Sequence, residues 1–348
     1  MADTPALALL WVQLLICLAA IGIAGRWLSC CGAAVGEHTG MSGSWVGFIL
    51  LATVTTPPEL VTTVSALRLA GAPDIAVGGL LGSVAFNLLI LLVLEVITSR
   101  RTGLYTALAR THLRTAGLGA GLLGLVGASL LVEQAGEVPA LAHVGAYTPV
   151  ILLLWLWAMR RLFLEERHAA TDAGAVRAAE HGGSQDASMT LRRALTGYAA
   201  SAAIVVGAGL WLPFVAKALA AAHGWEQSFV GTLLVAVVTS APELSVTLAS
   251  ARLGALDMAV GNVLGANLLN LAMLGVGDLI YTGAPLLRDA SAAHVVTAFS
   301  GLLMTLLFMA GLAARSRPRV FGRISIVGLM LAQVYLLNAV FLFTGVRP

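Results

Sequence analysis

A proline–glutamate pair lies inside a hydrophobic segment twice in this chain, and no other feature limits its fold as strongly. Residues 55–59 read Thr-Thr-Pro-Pro-Glu, and residues 239–243 read Thr-Ser-Ala-Pro-Glu. About ten apolar or hydroxyl-bearing residues flank each glutamate on either side, so neither carboxylate can reach an aqueous surface. A charged side chain at membrane depth is costly and marks a pathway for an ion or a substrate.

Proline gives each segment a second property, because it has no N–H and pushes away the carbonyl group four residues earlier. Pro58 is expected to free the carbonyl of Val54, and Pro242 that of Val238. In the apolar interior of a membrane, a freed carbonyl needs a protein donor or a cation. A carboxylate, hydroxyl groups and loose carbonyl groups at one depth therefore predict a cation site, and they occur twice.

The composition is that of a membrane protein with many spans, since 59% of residues are hydrophobic, 11% are charged, and mean hydropathy is +0.91. A chain of 348 residues has room for about ten spans of ~20 residues. The apolar runs lie at about 6–25, 43–67, 73–97, 116–133, 144–164, 196–219, 228–251, 257–281, 292–313 and 322–344. Asp3 stands where a secretory signal has a basic residue, which favours a first span over a cleaved leader.

The positive charges decide the orientation. If the N-terminus is outside, most of the 20 basic residues fall in loops on the inside. The positive-inside rule then predicts a multi-pass protein of the cell membrane with both termini outside and a cytoplasmic connector over 165–195.

The two motifs belong to an internal repeat. Residues from Thr55 to Arg68 recur 184 positions later, and those from Asp74 to Glu95 recur with similar types 183 positions later. The copies begin on the second and seventh spans, so the second half is inverted, as in secondary transporters. We predict an all-α polytopic membrane protein with ten transmembrane helices in two inverted five-helix repeats. The repeats are 1–164 (motif about 50–96) and 196–348 (motif about 234–279).

The second half of each motif is rich in glycine and amides. Gly78 and Gly82, like the glycines at 261 and 265, form small-xxx-small pairs that let helix backbones approach closely. Ser83 lies one turn before Asn87, and the asparagines at 267 and 270 are similarly spaced, so each helix presents polar atoms on one face.

These segments resemble the α-repeats of the cation/calcium antiporter superfamily, and most closely the sodium/calcium exchangers. The family pattern is roughly G-T-S-x-P-E…G-N-x-x-G-S-N-x-x-N/D, and residues 239–243 and 261–265 match it closely. Both motif pairs, roughly 80 residues, carry the resemblance. This chain departs from the pattern at several positions: Val54 and Val238 replace a glycine, Gly79 and Val84 replace asparagines, and Ala266 replaces a serine.

The resemblance implies a set of ion ligands. Glu59 and Glu243 would be the central ligands, and Asn87 and Asn270 would complete the ring. The remaining ligands implied are the hydroxyl or carbonyl oxygens of Thr55, Thr56, Ser83, Thr239 and Ser240 and the backbone carbonyl groups of Ala52 and Ala236. The missing serine at Ala266 weakens one expected sodium site.

Four further acids receive structural interpretations. Asp74 and Asp257 precede the glycine-rich helices, so we expect them to be helix N-caps. Glu95 and Asp278 lie eight residues past the asparagines, so we expect them at the membrane interface, at the ends of spans.

The predicted function is a secondary-active antiporter that exchanges Ca²⁺ for Na⁺ by alternating access, with ions bound at the midplane between the repeats. The alternatives are a H⁺/Ca²⁺ exchanger, a monovalent cation exchanger and, from another class, a cation channel. No nucleophile–base pair is apparent, so we expect no enzyme activity. We also expect no cofactor and no nucleic-acid partner, and a chain that works in the lipid bilayer as a monomer.

Overall fold

Long apolar α-helices make up most of the described chain. The structure is a computed structural model that describes residues 4–38, 56–98, 104–108, 111–136, 140–172, 189–252, 254–315, 319–320 and 324–345. The first half contains α1 (Thr4–His38), α2 (Pro57–Arg68), α3 (Pro73–Thr98), α4 (Leu104–Ala107), α5 (Thr111–Gln134) and α6 (Tyr147–Asp172). The second contains α7 (Leu191–His223), α8 (Gln227–Val230), a π-helical turn (Gly231–Val235), α9 (Ala236–Thr239), α10 (Ala241–Arg252), α11 (Leu256–Ile280), α12 (Leu286–Asp289), α13 (Ala293–Ala313) and α14 (Ile326–Thr344).

Seven helices of the described chain are long and apolar enough to cross a membrane, namely α1, α3, α5, α7, α11, α13 and α14. An eighth candidate is the pair Gln227–Thr239 and Ala241–Arg252, which is bent by 45°. Helix α6 covers the predicted fifth span, and α2 covers the second half of the predicted second span, whose first half lies outside the described residues. The mainly helical, polytopic fold is confirmed, whereas the count of ten spans and the inversion stay predictions.

Local sequence signals fix the ends of several helices. The Thr190 side chain accepts a hydrogen bond from Arg193 N at the start of α7, which then ends at Gly224 in the left-handed conformation (φ 68°). Ser325 Oγ accepts from Gly328 N (3.0 Å) at the start of α14. Hydroxyl residues at N-caps and glycine past the C-terminus satisfy the backbone groups that a helix leaves unpaired.

The two helices that carry the second half of each motif lie at the centre of the bundle. In their most apolar windows, 67% of α3 and 78% of α11 is buried inside the protein, against 17% of α1. Helix α3 packs against α11, α13, α14, the π-helical turn and α9, while α11 also packs against α5, α6 and α10. The repeated motifs therefore meet in the interior, away from lipid.

Glycines allow the closest of these contacts. A Cβ atom on Gly82 would overlap the backbone of Thr232 in the π-helical turn, and one on Gly78 would lie 3.0 Å from Thr232 N. From the other side, a Cβ on Gly231 would lie 3.0 Å from the Asp74 carbonyl oxygen. The predicted close approach at Gly78 and Gly82 is confirmed, and it sets the first half of the chain directly against the second.

Two short hairpins add strands to a fold that the sequence predicts as all-α. Strand β1 (Ala140–Leu141) pairs antiparallel with β2 (Val144–Gly145), just before α6. Strand β3 (Arg319–Val320) pairs in the same way with β4 (Ile324–Ser325), just before α14. Two-residue strands leave no periodic pattern in the sequence, so only the structure reveals them.

Glu95 and Asp278 lie close to the ends of α3 and α11, as expected, and their side chains are buried against other parts of the protein, at 5% and 0% exposed. Their position at the membrane interface stays a prediction. Glu95 accepts hydrogen bonds from the backbone N–H (2.7 Å) and hydroxyl (3.1 Å) of Ser325. Asp278 accepts four hydrogen bonds of 2.6–2.9 Å, from Gly145 N, Tyr147 Oη, Thr148 Oγ1 and Leu286 N. Each acid thus holds the start of a long helix in the other half of the chain.

The N-cap interpretation of Asp74 and Asp257 is wrong. Both lie inside the first helical turn, because α3 starts at Pro73 and α11 starts at Leu256. Their side chains bond to other helices instead, Asp74 to Ser291 N (2.6 Å) and Asp257 to His112 (2.9 Å). Both acids therefore join helices that are distant in the sequence.

Candidate cation-binding site

The helix break at the second motif places its polar groups at one depth. Helix α9 ends at Thr239 and α10 begins at Ala241, and Ser240 between them has φ −85° and ψ 7°. In the first motif, Thr56 directly precedes α2 with φ −91° and ψ −1°. This sparsely populated backbone conformation is common at functional sites. The two motifs therefore share a local backbone geometry as well as a sequence.

The two glutamates come three residues after Thr56 and Ser240 and are buried, with Glu59 2% and Glu243 0% exposed. Within the described part of the chain, neither carboxylate oxygen of Glu59 has a hydrogen bond of good geometry. The Glu243 carboxylate and the hydroxyl groups of Thr239 and Ser240 contribute to its electrostatic environment. Burying a charge costs several kcal/mol unless it is compensated, so a pair of acids here requires cations or protons.

Two amides from the glycine-rich helices complete the polar centre. Asn87 on α3 and Asn270 on α11 are both fully buried. Oδ1 of Asn87 and both side-chain polar atoms of Asn270 have no hydrogen-bond partner among the described residues. Most buried polar atoms are hydrogen-bonded, so these buried amide oxygens without partners are candidate ligand atoms, as are the carboxylate oxygens of Glu59.

The hydroxyl groups connect the two motifs directly. Ser83 Oγ on α3 lies 3.3 Å from Thr239 Oγ1 on α9. Thr239 Oγ1 also donates to the Val235 carbonyl oxygen (3.1 Å). Ser240 Oγ is buried and has no hydrogen-bond partner in the described chain. The hydroxyl groups of both motifs therefore lie in one buried region with Glu59.

The structure describes only two of the remaining four predicted ligands, Thr56 and Ala236. Thr56 is buried (2% exposed), whereas Thr55 and Ala52 lie outside the described residues. The carbonyl oxygen of Ala236 already accepts from Ser240 N (2.9 Å) and from Thr239 Oγ1 (3.3 Å). A cation at Ala236 would therefore share this oxygen with the helix.

Three polar residues at the site were not predicted from the sequence, either as ligands or as residues that support ligands. Thr62 is buried, lies three residues after Glu59 on the same helix face, and has an unpaired Oγ1 within the described chain. Asn262 Nδ2 donates to Thr247 Oγ1 (3.2 Å) and so joins α11 to α10. Asn267 joins α11 to α3 through hydrogen bonds with Asn87 and with the Val84 carbonyl oxygen. The helical spacing from Glu59 is a signal that could have identified Thr62.

The donor set favours hard cations. Among the described residues, no three His, Cys, Asp or Glu side chains are grouped as they would be around a transition metal. The centre instead combines two carboxylates with amide and hydroxyl oxygens, which are the ligands that calcium and similar ions prefer. Two negative charges balance one divalent or two monovalent cations. A site that binds different cations in turn can exchange one cation for another.

One family model matches most of the chain. The family model described as "Sodium/calcium exchanger protein" matches residues 9–162 and 193–344. The sodium/calcium exchanger MaX1 of Methanosarcina acetivorans is 44% identical over 84 residues, and the alignment spans only 23% of each chain. The solved structure of native YfkE matches with a TM-score of 0.66 at 18% identity, covering 96% of this chain and 92% of the other. A structure of NCX_Mj matches with a TM-score of 0.57 at 20% identity, covering 98% and 99%. At these identities the two structures show the fold alone.

Proposed function

Because this chain belongs to the sodium/calcium exchanger protein family, we propose that it is a secondary-active antiporter that exchanges Ca²⁺ for Na⁺ by alternating access. One observation carries the proposal: both motifs bring acids, amides and hydroxyls to one buried region, where several oxygen atoms have no hydrogen-bond partner among the described residues. The kinship to MaX1, which is named a sodium/calcium exchanger, supports the same choice of ions.

Calcium binds here through oxygen atoms alone. It needs six to eight oxygen ligands, and two carboxylates with amide, hydroxyl and carbonyl oxygens can provide them. Glu59 and Glu243 neutralise the ion, and Asn87 and Asn270 add amide oxygens. The flanking sodium sites use the oxygens of Thr55, Thr56, Ser83, Thr239, Ser240, Ala52 and Ala236.

Exchange follows from the charge of the site. Two buried carboxylates without a cation would repel each other, so the empty form is costly and the protein changes conformation only when loaded. The 45° bend before α10 allows the half-helices on its two sides to move separately. Both termini lie outside, the connector 165–195 is cytoplasmic, and one chain forms the complete transport unit.

A proton-coupled exchanger is the second candidate, because YfkE is described as a Ca²⁺/H⁺ antiporter and has the same fold. Glu59 and Glu243 could each carry one proton, in the direction opposite to calcium, for each calcium ion. Asn87 and Asn270 cannot titrate, and protons do not need the hydroxyl groups of the motifs. Sodium coupling therefore gives a role to more of the predicted ligands than proton coupling does.

Flux measurements in proteoliposomes distinguish the two candidates. Exchange of three sodium ions for one calcium ion moves one net charge, so a sodium gradient should drive calcium uptake that responds to a clamped membrane potential. Exchange of two protons for one calcium ion is electrically silent. Calcium flux that follows a pH gradient and ignores both sodium and potential would replace this proposal with the proton-coupled one.

A further inference from the structure

Asn267 makes a two-sided contact between the central helices. It is 5% exposed on α11, three residues before Asn270. Its Nδ2 donates to the backbone carbonyl oxygen of Val84 on α3 (3.3 Å). Its Oδ1 accepts from Nδ2 of Asn87, also on α3 (3.0 Å).

These two contacts fix the direction of the Asn87 amide. The Val84 carbonyl can only accept, so Asn267 must turn its Nδ2 toward it and its Oδ1 toward Asn87. Asn87 must then present its own Nδ2 to Asn267, which leaves Asn87 Oδ1 at the other end of the amide. That oxygen is buried and has no hydrogen-bond partner in the described chain.

We infer that Asn267 is a positioning residue that orients the Asn87 amide so that its oxygen, and not its nitrogen, faces the transported cation. The inference rests on the proposed function, because it takes Asn87 as an ion ligand. An amide whose NH₂ group faced the ion would repel it, so orientation decides whether Asn87 helps or hinders binding.

Within the described residues, the bridge between the central helices is not repeated by the corresponding pair of the other motif. Val84 stands 183 positions before Asn267 and occupies its place in the first motif, just as Asn87 corresponds to Asn270. A valine can neither donate nor accept, and both polar atoms of Asn270 lack a partner within the described residues. The two amides are therefore unequal: Asn87 is held in one orientation by Asn267, whereas no described residue fixes the orientation of the Asn270 amide.

A double-mutant cycle tests the orientation. Asn267→Val releases the Asn87 amide, and we expect the apparent KM for radiolabelled Ca²⁺ uptake into proteoliposomes to rise about fivefold, the scale of one interhelical hydrogen bond. In an Asn87→Asp background, position 87 has two equivalent oxygens and needs no orientation. It also offers no N–H to Asn267 Oδ1, so the oxygens of the two residues repel each other. There, Asn267→Val should leave KM unchanged or lower it.

If Asn267 had a merely structural role, Asn267→Val would raise KM equally in the wild-type and Asn87→Asp backgrounds, and that outcome would overturn the inference. An unchanged KM in the Asn267→Val protein would also overturn it. Asn338→Val is the matched control, because Asn338 is 2% exposed and bonds to Thr297 Oγ1 (3.2 Å) outside the site. It should leave KM unchanged.

Two further measurements keep the test decisive. If Asn267→Val does not accumulate in the membrane, Val84→Asn replaces it: a partner for Asn270 should lower KM about threefold, and no change contradicts the inference. The same cycle is run with Na⁺ uptake. Wild-type protein that moves neither ion refutes the proposed function, whereas a transporting wild type without a background-dependent effect refutes the role of Asn267 alone.

Discussion

Nε2 of His294, at the start of α13, lies 3.1 Å from Oδ1 of Asp74 at the start of α3. The corresponding pair in the other half is His112 on α5 and Asp257 on α11, with Nε2 and Oδ1 2.9 Å apart. In each pair, a helix of one half is joined to the central helix of the other. The side-chain exposure of the two pairs differs, at 0% and 28% for the first and 11% and 60% for the second.

This difference predicts unequal effects on stability. His294→Ala removes a fully buried ring and one partner of a partly buried carboxylate, so it should lower the free energy of unfolding by roughly 1–3 kcal/mol. His112→Ala should cost less, because water reaches Asp257. Thermal unfolding of the purified proteins in detergent measures both, and equal or reversed losses would show that exposure does not decide the contribution of these pairs.

The buried acids give the most direct test of the site. Glu59→Gln and Glu243→Gln should each abolish calcium transport while the protein still accumulates in the membrane, since a divalent ion is then only half neutralised. Glu133→Gln is the control, because Glu133 is equally buried but pairs with Arg288 (3.0 Å) outside the site. Near-normal calcium flux in either site variant would remove that residue from the ligand set.

The fully buried Ala266 stands where the family pattern has a serine, next to Asn267 on α11. Ala266→Ser restores a hydroxyl that the sodium sites lack, so the apparent affinity for Na⁺ should rise about threefold to tenfold while that for Ca²⁺ stays nearly constant. Sodium-dependence curves of calcium uptake measure both quantities. Unchanged sodium dependence would mean that another group fills this site or that the site is not used.

Close packing at Gly82 leads to a prediction about folding. Gly82→Ala forces a methyl group into the backbone at Thr232, which no side-chain rotation can relieve, and overpacking of this kind typically costs about 1–3 kcal/mol. Gly121→Ala on α5 is the matched control, because its Cβ would have no atom within 4 Å. Thermal stability should fall only in the Gly82 protein, and a tolerated alanine there would show that α3 and the π-helical turn can separate without loss.

The sequence predicted best those features that depend on composition and local pattern. Long apolar runs are sufficient to place helices such as α3 and α11. The duplication of the motif, with Glu59 in one copy and Glu243 in the other, identified both acids as candidate ligands before any contact was known. Pro242 likewise predicted a local disturbance of its own helix, and the structure has a break at Ser240, because a missing N–H acts on its own helix.

Features that depend on distant contacts could not be predicted in this way. The hydrogen bonds of Glu95 could not be predicted, because nothing nearby in the sequence shows that Ser325, 230 residues away, supplies them. The orientation of Asn87 likewise depends on Asn267, on another helix. The N-cap interpretation of Asp74 failed because it took the helix to begin at the glycines, whereas α3 already begins at Pro73.

The contacts of Glu95 and Asp278 also affect the order in which the protein is completed during synthesis. Ser325 leaves the ribosome 230 residues after Glu95, and Asp278 leaves it 130 residues after Thr148. Until then the start of α6 and the end of α3 lack the groups that satisfy them. These contacts of the first half are therefore completed only after the end of α11 and the start of α14 have been made.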